Sequence, residues 1–232
     1  MHSSHEHSTR GDRGWWEKPR TVSVIVDNPS WIMPHALRLV ELIEAGGDHA
    51  SFHTDYSSVP KGDVAFYLGC VRVAPAELLT RNHRNLVVHE SALPQGAGFS
   101  PLSWQILEGK SSIPIVLFEM VEEFDAGPIV YRSKIDLGGH ELVGELRDLQ
   151  AQATRELCLR YLSSPQVPIG EMQTGERSIY ARRSPKDSRL DPNKTIVEQF
   201  DLFRIVDNEK YPAFFELRGC EYELLIRKRN GV

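Results

Sequence analysis

His89 ends an apolar run, Leu86-Val-Val-His89, and Asp125 stands in a separate turn, Asp125-Ala-Gly127. An imidazole and a carboxylate delivered by two strand-end turns suit acyl transfer to an amine. The attacking nitrogen must be neutral, and the carbonyl oxygen gains negative charge as the tetrahedral intermediate forms. An imidazole beside that oxygen can donate a hydrogen bond to it. The nitrogen then sheds a proton, which a carboxylate of raised pKa can accept directly or through water. Each residue also has a plainer use. A strand-end histidine commonly ties loops together, and an aspartate before Ala-Gly commonly shapes a turn. Their weight comes from what surrounds them.

To present such groups, the chain needs strands that all release loops on one side. Val22-Ser-Val-Ile-Val26 is a β-branched run leading into Asp27-Asn-Pro-Ser30, a buried strand feeding a turn. Pro34 opens a helix predicted over 34–45, which Gly46-Gly47 stops. Strands follow over 50–53, 64–68 and 86–89, the last preceded by a helix near 75–80. This alternation implies right-handed crossovers and a mainly parallel α/β sheet of Rossmann-like type, with ligands beyond the carboxyl ends of its strands. His89 sits at such an end. Ser100-Pro101 reads as the N-cap and first residue of a helix to 107, closed by Gly109. Strands over 113–120 and 129–135 flank the Asp125 turn, and the stripe Leu142, Leu146, Leu149, Ala153, Leu157 predicts a helix over 141–162 that packs on the core. Beyond Pro165 come a loop over 166–176 and a basic turn over 181–191. A helix over 195–206 with Ile196, Phe200 and Phe203 on one face follows, then a hairpin of 213–217 and 222–226 around Arg218-Gly219. The expected division is a disordered tail over 1–20, a catalytic domain over 21–164 and a small α+β subdomain over 165–232.

Three stretches carry a resemblance: His89-Glu-Ser-Ala-Leu-Pro94, Ser100-Pro-Leu-Ser-Trp-Gln-Ile-Leu-Glu-Gly109 and Asp125-Ala-Gly127. Together they resemble the formyltransferases that use 10-formyltetrahydrofolate, over about residues 60–162 by combined spacing. The resemblance implies an Asn–His–Asp site, with His89 and Asp125 matching the last two members. It implies a pterin held by backbone groups of Leu68, Gly69, Cys70 and Val71 and by the loop after His89, through Ser91, Leu93 and Pro94. One departure stands out: the position of the family's asparagine, thought to help hold the formyl oxygen, is Val87. Valine donates no hydrogen bond, and losing one oxyanion donor typically costs about 2.7–4 kcal/mol. Either a backbone N–H, a water or a nearby polar side chain such as Gln105 substitutes, or activity is lost. Asn85 lies about 6–7 Å further back along the strand and is a poor stand-in.

The C-terminal stretch Tyr180-Ala-Arg-Arg-Ser-Pro-Lys-Asp-Ser188 through Tyr211-Pro-Ala-Phe214 looks like the tail of sugar N-formyltransferases acting on UDP-4-amino sugars. Glu90 and the 100–109 run look more like those of 4-amino-4,6-dideoxyhexose pathways, including the pseudaminic-acid precursor. The resemblance therefore implies a nucleotide-sugar acceptor, with Glu90 and Gln105 at the substrate. Arg182, Arg183, Lys194 and Arg204 suit a diphosphate by charge, and Tyr211 or Phe214 suits a pyrimidine by stacking. The plainer use of such residues is a solvated basic face.

Composition narrows the classes. A net charge of −5 offers no basic surplus for a nucleic-acid partner. Cys70, Cys158 and Cys220 form no CxxC pair, which reads as a reducing cytoplasm with neither disulfides nor a structural metal. No apolar run approaches the ~20 residues of a membrane helix, and the His2, His5 and His7 tail reads as solvated. A homodimer is compatible with the sequence. Two other functions stay open: a catalytically silent folate- or nucleotide-binding homologue, motivated by Val87, and a purine-pathway formyltransferase acting on glycinamide ribonucleotide.

Overall fold

A computed structural model of the chain describes Gly14, Trp16 and residues 19–229. His2, His5, His7 and most of the 1–20 tail lie outside the described residues. Trp16 does not: it is buried, its indole donates to the Ser164 carbonyl at 2.9 Å, and it meets Tyr161 edge-on.

A six-stranded sheet runs in the order β2-β1-β3-β4-β6-β7, with β1 Thr21–Ile25, β2 His49–His53, β3 Gly62–Tyr67, β4 Asn82–His89, β6 Ser112–Glu119 and β7 Ile129–Asp136. The β1–β2, β1–β3 and β3–β4 pairs are parallel, as the strand–helix alternation requires. The largest helices are α1 Met33–Ala45 and α4 Val143–Leu162; α2 Ala76–Leu79 and α3 Pro101–Leu107 are short. Among the described residues, no helix is long and apolar enough to cross a membrane.

The chain divides into two compact units. The first comprises Met1–Val88, Leu117–Tyr131 and Arg155–Met172. Within it, Ile25, Ala65 and Tyr67 pack with Tyr56, Val59 and Leu78, and Cys70, Val87 and Met120 close over that cluster. β-branched and aromatic residues along β1 and β3 supply this core because both faces of a parallel sheet are covered.

The second unit comprises His89–Val116, Arg132–Thr154 and Gln173–Val232. Its own small core holds Leu190, Phe203, Val206 and Ala213. Two very short strands, β5 Ala97–Gly98 and β8 Ile179–Tyr180, pair in parallel here. Two residues each are too few for period-2 alternation, so neither strand is legible in the sequence. The hairpin is β9 Ala213–Leu217 with β10 Cys220–Leu224, so its second strand starts two residues earlier than predicted.

Two predicted elements need correction. Ser100 is no N-cap by side chain: its φ is 52° and its hydroxyl makes no capping bond, although its carbonyl accepts from Trp104 N–H at 3.2 Å. The following proline keeps Ser100 out of the right-handed helical region. The helix expected over 195–206 is only α5 Phe200–Ile205, behind a 3₁₀ turn at Val197–Gln199. Thr195 and Glu198 hydrogen-bond each other and start a solvated turn, leaving Ile196 70% exposed while Phe203 is buried.

Candidate active site

His89 is the last residue of β4 and is 7% exposed. Its Nε2 lies 2.9 Å from the Gly96 carbonyl. A carbonyl only accepts, so Nε2 carries the proton; Nδ1 is then an acceptor in the neutral ring and a donor once the ring is protonated. The turn that supplies this carbonyl is itself stapled. Gly96 N–H donates to Ser178 Oγ at 2.8 Å, Ala97 N–H to the Ser178 carbonyl at 2.9 Å, and Phe99 N–H to the Tyr180 carbonyl at 3.1 Å. The close approach dictates the glycines. A Cβ on Gly96 would stand 2.8 Å from the Tyr180 ring, and one on Gly98 2.3 Å from the Tyr180 carbonyl oxygen. Ser178 through Tyr180 thus hold the His89 turn, a role that sequence reading missed because the partner strand is two residues long.

Beside that turn lies a cavity of about 510 Å³, lined in part by Ser91, Gln95, Gln105, Glu108, Lys110 and Tyr180. Two residues expected at ligands, Ser91 and Gln105, meet here. The Ser91 hydroxyl is buried with no hydrogen-bond partner. Gln105 is less available than expected as a substitute oxyanion donor. Its Nε2 already donates to the Glu90 carbonyl at 2.6 Å and the Pro101 carbonyl at 3.2 Å. The same bond ties Gln105 to Glu90, two residues expected to work together. Tyr180 donates to Glu108 at 2.8 Å, which with burial pushes its phenol up to about 12, and Glu108 also pairs with Lys110 at 2.8 Å. Leu93 is buried, and the Leu93-Pro94 peptide is cis.

In the first unit, the 68–71 loop is shaped from beneath. The Asp27 side chain is wholly buried at the end of β1 and accepts from Val71 N–H at 2.9 Å, Arg72 N–H at 2.8 Å, Tyr56 hydroxyl at 2.8 Å and Asn28 amide at 2.9 Å. Burial pushes this carboxyl up, but the bonds from Asn28, Val71, Arg72 and Tyr56 outweigh it and leave the pKa below its usual value. Asn28 also donates to the Gly69 carbonyl at 2.9 Å. The Val71 and Arg72 N–H groups are therefore spent on Asp27. Burial raises the Cys70 thiol to about 12, with Asp27 adding to it, so this sulfur is no nucleophile.

Asp125 is 7% exposed with φ 51°, a left-handed geometry that aspartate tolerates. Gly127 explains the motif. A Cβ there would fall 1.6 Å from the Glu119 carbonyl oxygen, so the chain after Asp125 must pass directly over the end of β6. Glu119 N–H donates to the Pro128 carbonyl at 2.9 Å across the same crossing. Val87 packs against the core and offers no donor. Asn85 is committed too, with its amide on the Leu79 carbonyl at 3.0 Å and its oxygen accepting from Tyr67 at 3.1 Å.

The residues expected at a diphosphate are not gathered. Arg204 is buried and held by Glu141 at 3.0 Å and Asp201 at 2.8 Å, so its charge is spent inside the unit. Arg183 braces its own turn through the carbonyls of Ile205 and Asp187. Arg182 is exposed and lies 4.3 Å over the Phe99 ring, and Lys194 is exposed too. Tyr211 is 39% exposed, and Phe214 bridges Arg189 through its backbone. Among the described residues, no His/Cys/Asp/Glu cluster would hold a metal.

Known proteins match this arrangement. The formyl transferase family matches residues 45–162, a span that contains both His89 and Asp125. Three solved structures share the fold. A methionyl-tRNA formyltransferase from Clostridium thermocellum is 21% identical with a TM-score of 0.75, over 91% of this chain and 95% of that one. A sugar N-formyltransferase from Shewanella is 12% identical with a TM-score of 0.64, over 91% and 99%. HypX from Aquifex aeolicus, in complex with tetrahydrofolic acid, is 14% identical with a TM-score of 0.65, over 88% of this chain and 37% of its own. With a matching family segment over half its length and a mainly parallel sheet, the chain belongs to the formyl transferase family and is a formyltransferase, of a kind that draws on folate-derived formyl donors.

Proposed function

We propose that this enzyme moves the formyl group of 10-formyltetrahydrofolate to the amine of a nucleotide-linked amino sugar, of the UDP-4-amino-4,6-dideoxyhexose type met in pseudaminic-acid pathways. The observation that carries the acceptor is the cavity beside the His89 turn. Its lining of hydroxyl, amide and one carboxylate–ammonium pair suits the hydroxyls of a sugar. A sugar N-formyltransferase among proteins of the same fold supports the same class. The acidic net charge disfavours RNA.

In this reading the sugar amine attacks the formyl carbon, a C–N bond forms, and the bond from that carbon to the folate nitrogen breaks. Asp125 takes the proton released by the amine. His89, held by the Gly96 carbonyl, donates to the developing oxyanion and can return a proton to the leaving nitrogen. The loop at 68–71 and residues Ser91, Leu93 and Pro94 receive the donor. Cytoplasmic residence fits three cysteines without a disulfide.

Incubation of the protein with 10-formyltetrahydrofolate and, in turn, a UDP-4-amino sugar, glycinamide ribonucleotide and charged initiator tRNA tests the acceptor. Mass spectrometry should find a formamide on the amino sugar only. Formylation of either other acceptor with none on the sugar would overturn the assignment, and folate binding without transfer to any of them would favour the silent homologue.

A further inference from the structure

We infer that Ser178 is a positioning residue for His89: it fixes, from a distant part of the chain, the Gly96–Ala97 peptide whose carbonyl holds the imidazole. This rests on the role proposed for His89 in formyl transfer. Ser178 spends three polar groups on one short stretch of the His89 turn. Its N–H donates to the Pro94 carbonyl at 3.3 Å, its Oγ accepts from Gly96 N–H at 2.8 Å, and its carbonyl accepts from Ala97 N–H at 2.9 Å. Ala97 N–H shares a peptide unit with the Gly96 carbonyl, which accepts from His89 Nε2 at 2.9 Å. An unbroken file of hydrogen bonds therefore runs from the Ser178 carbonyl through that peptide to the ring. Each bond in such a file polarises the next, so Ser178 makes Gly96 a stronger acceptor for the imidazole.

The turn needs such a hold. Gly96 and Gly98 take φ of 70° and 104°, and without side chains their peptides are the softest part of the loop. A peptide that rocked would swing its carbonyl away from Nε2 and loosen the tautomer that this bond selects. Ser178 grips both peptides that flank the Gly96 Cα, one through its hydroxyl and the other through its carbonyl. The gripping segment is anchored in turn. Two residues on, the Tyr180 hydroxyl lies 2.8 and 2.9 Å from the two carboxylate oxygens of Glu108, to which it donates. The Tyr180 ring stacks on Trp104 with centroids 6.4 Å apart, and the Trp104 indole donates to the Ala181 carbonyl at 2.8 Å. Ser178 thus links the end of α3 to the histidine. The residue itself is exposed, so its hydroxyl supports no core. What the hydroxyl supplies is aim.

Ser178→Ala in the full chain tests this, first without any substrate. Proton–nitrogen correlation spectra of the imidazoles, with the His89 signals assigned by their loss in His89→Asn, should show one tautomer in the unsubstituted protein, protonated on Nε2. In Ser178→Ala that proton should exchange with solvent about tenfold faster, because water can satisfy Gly96 N–H without fixing the peptide. Turnover of 10-formyltetrahydrofolate with a UDP-4-amino sugar should lose about tenfold in kcat, the worth of one neutral hydrogen bond, with both KM values and the melting temperature held. Ser178→Thr keeps the hydroxyl and should restore the spectrum and the rate. His89 signals unchanged in Ser178→Ala, a higher KM at unchanged kcat, or no rescue by threonine overturns the proposal. The spectra need neither donor nor acceptor, so an acceptor other than the amino sugar would sink the proposed substrate and leave this test standing.

Discussion

Asp27 and Asp125 invite comparison, since both are 7% exposed and both sit in turns after strands. Asp27 is a structural carboxylate. It gathers four donors, and two of them are backbone N–H groups of the 68–72 loop, so its charge defines that loop's shape. Asp125 sits in a turn of another build, with a positive φ of its own and a crossing at Gly127 that admits no side chain. Equal burial therefore conceals different work.

That contrast can be broken by substitution. The largest effect should come from Gly127→Ala, where the new methyl has backbone rather than a movable side chain in its way; loss of stability beyond about 4 kcal/mol is expected in a chemical melt. Next comes Asp125→Asn, which should lower kcat/KM about a thousandfold and leave the melting temperature nearly unchanged. His89→Asn should show the same split with a somewhat smaller loss of rate. Asp27→Ala should do the reverse. It takes the acceptor from the Val71 and Arg72 N–H groups and should cost about 2 kcal/mol of stability, with weaker folate binding and kcat reduced less than by Asp125→Asn. If Asp125→Asn melted as early as Asp27→Ala, the division of labour drawn here would be wrong.

A smaller effect concerns the second unit's buried pair, Arg204 and Glu141. Burial pushes the Glu141 carboxyl up, but backbone bonds, including those from Gly138 and Gly139, and the nearby His140 win and hold it at about 2. A carboxylate with a depressed folded pKa stabilises fully above its ordinary value near 4.5 and loses that contribution as pH falls toward 2. Acid melts should therefore show stability declining between about pH 5 and 2, and Glu141→Gln should flatten that decline. An unchanged acid slope in Glu141→Gln would assign the decline elsewhere.

Much of this protein was legible in its residues. β1, α1, β3, β6, β7 and α4 follow from apolar periodicity with Gly and Pro punctuation, because each is long enough for its period to repeat. His89 and Asp125 stood out for a related reason: strand ends and Gly-containing turns leave local marks. The Arg-rich turn misled for lack of any such mark. A guanidinium bound for solvent and one bound for a buried carboxylate, as Arg204 is for Glu141 63 positions away, look alike in a string of letters. The β5–β8 pair, the Ser178 staple on the His89 turn and the four donors on Asp27 are likewise products of distant segments meeting. Sequence alone determined the local elements and singled out two residues for the chemistry; tertiary structure decided which polar side chains are spent inside the protein, because that depends on partners a linear pattern does not encode.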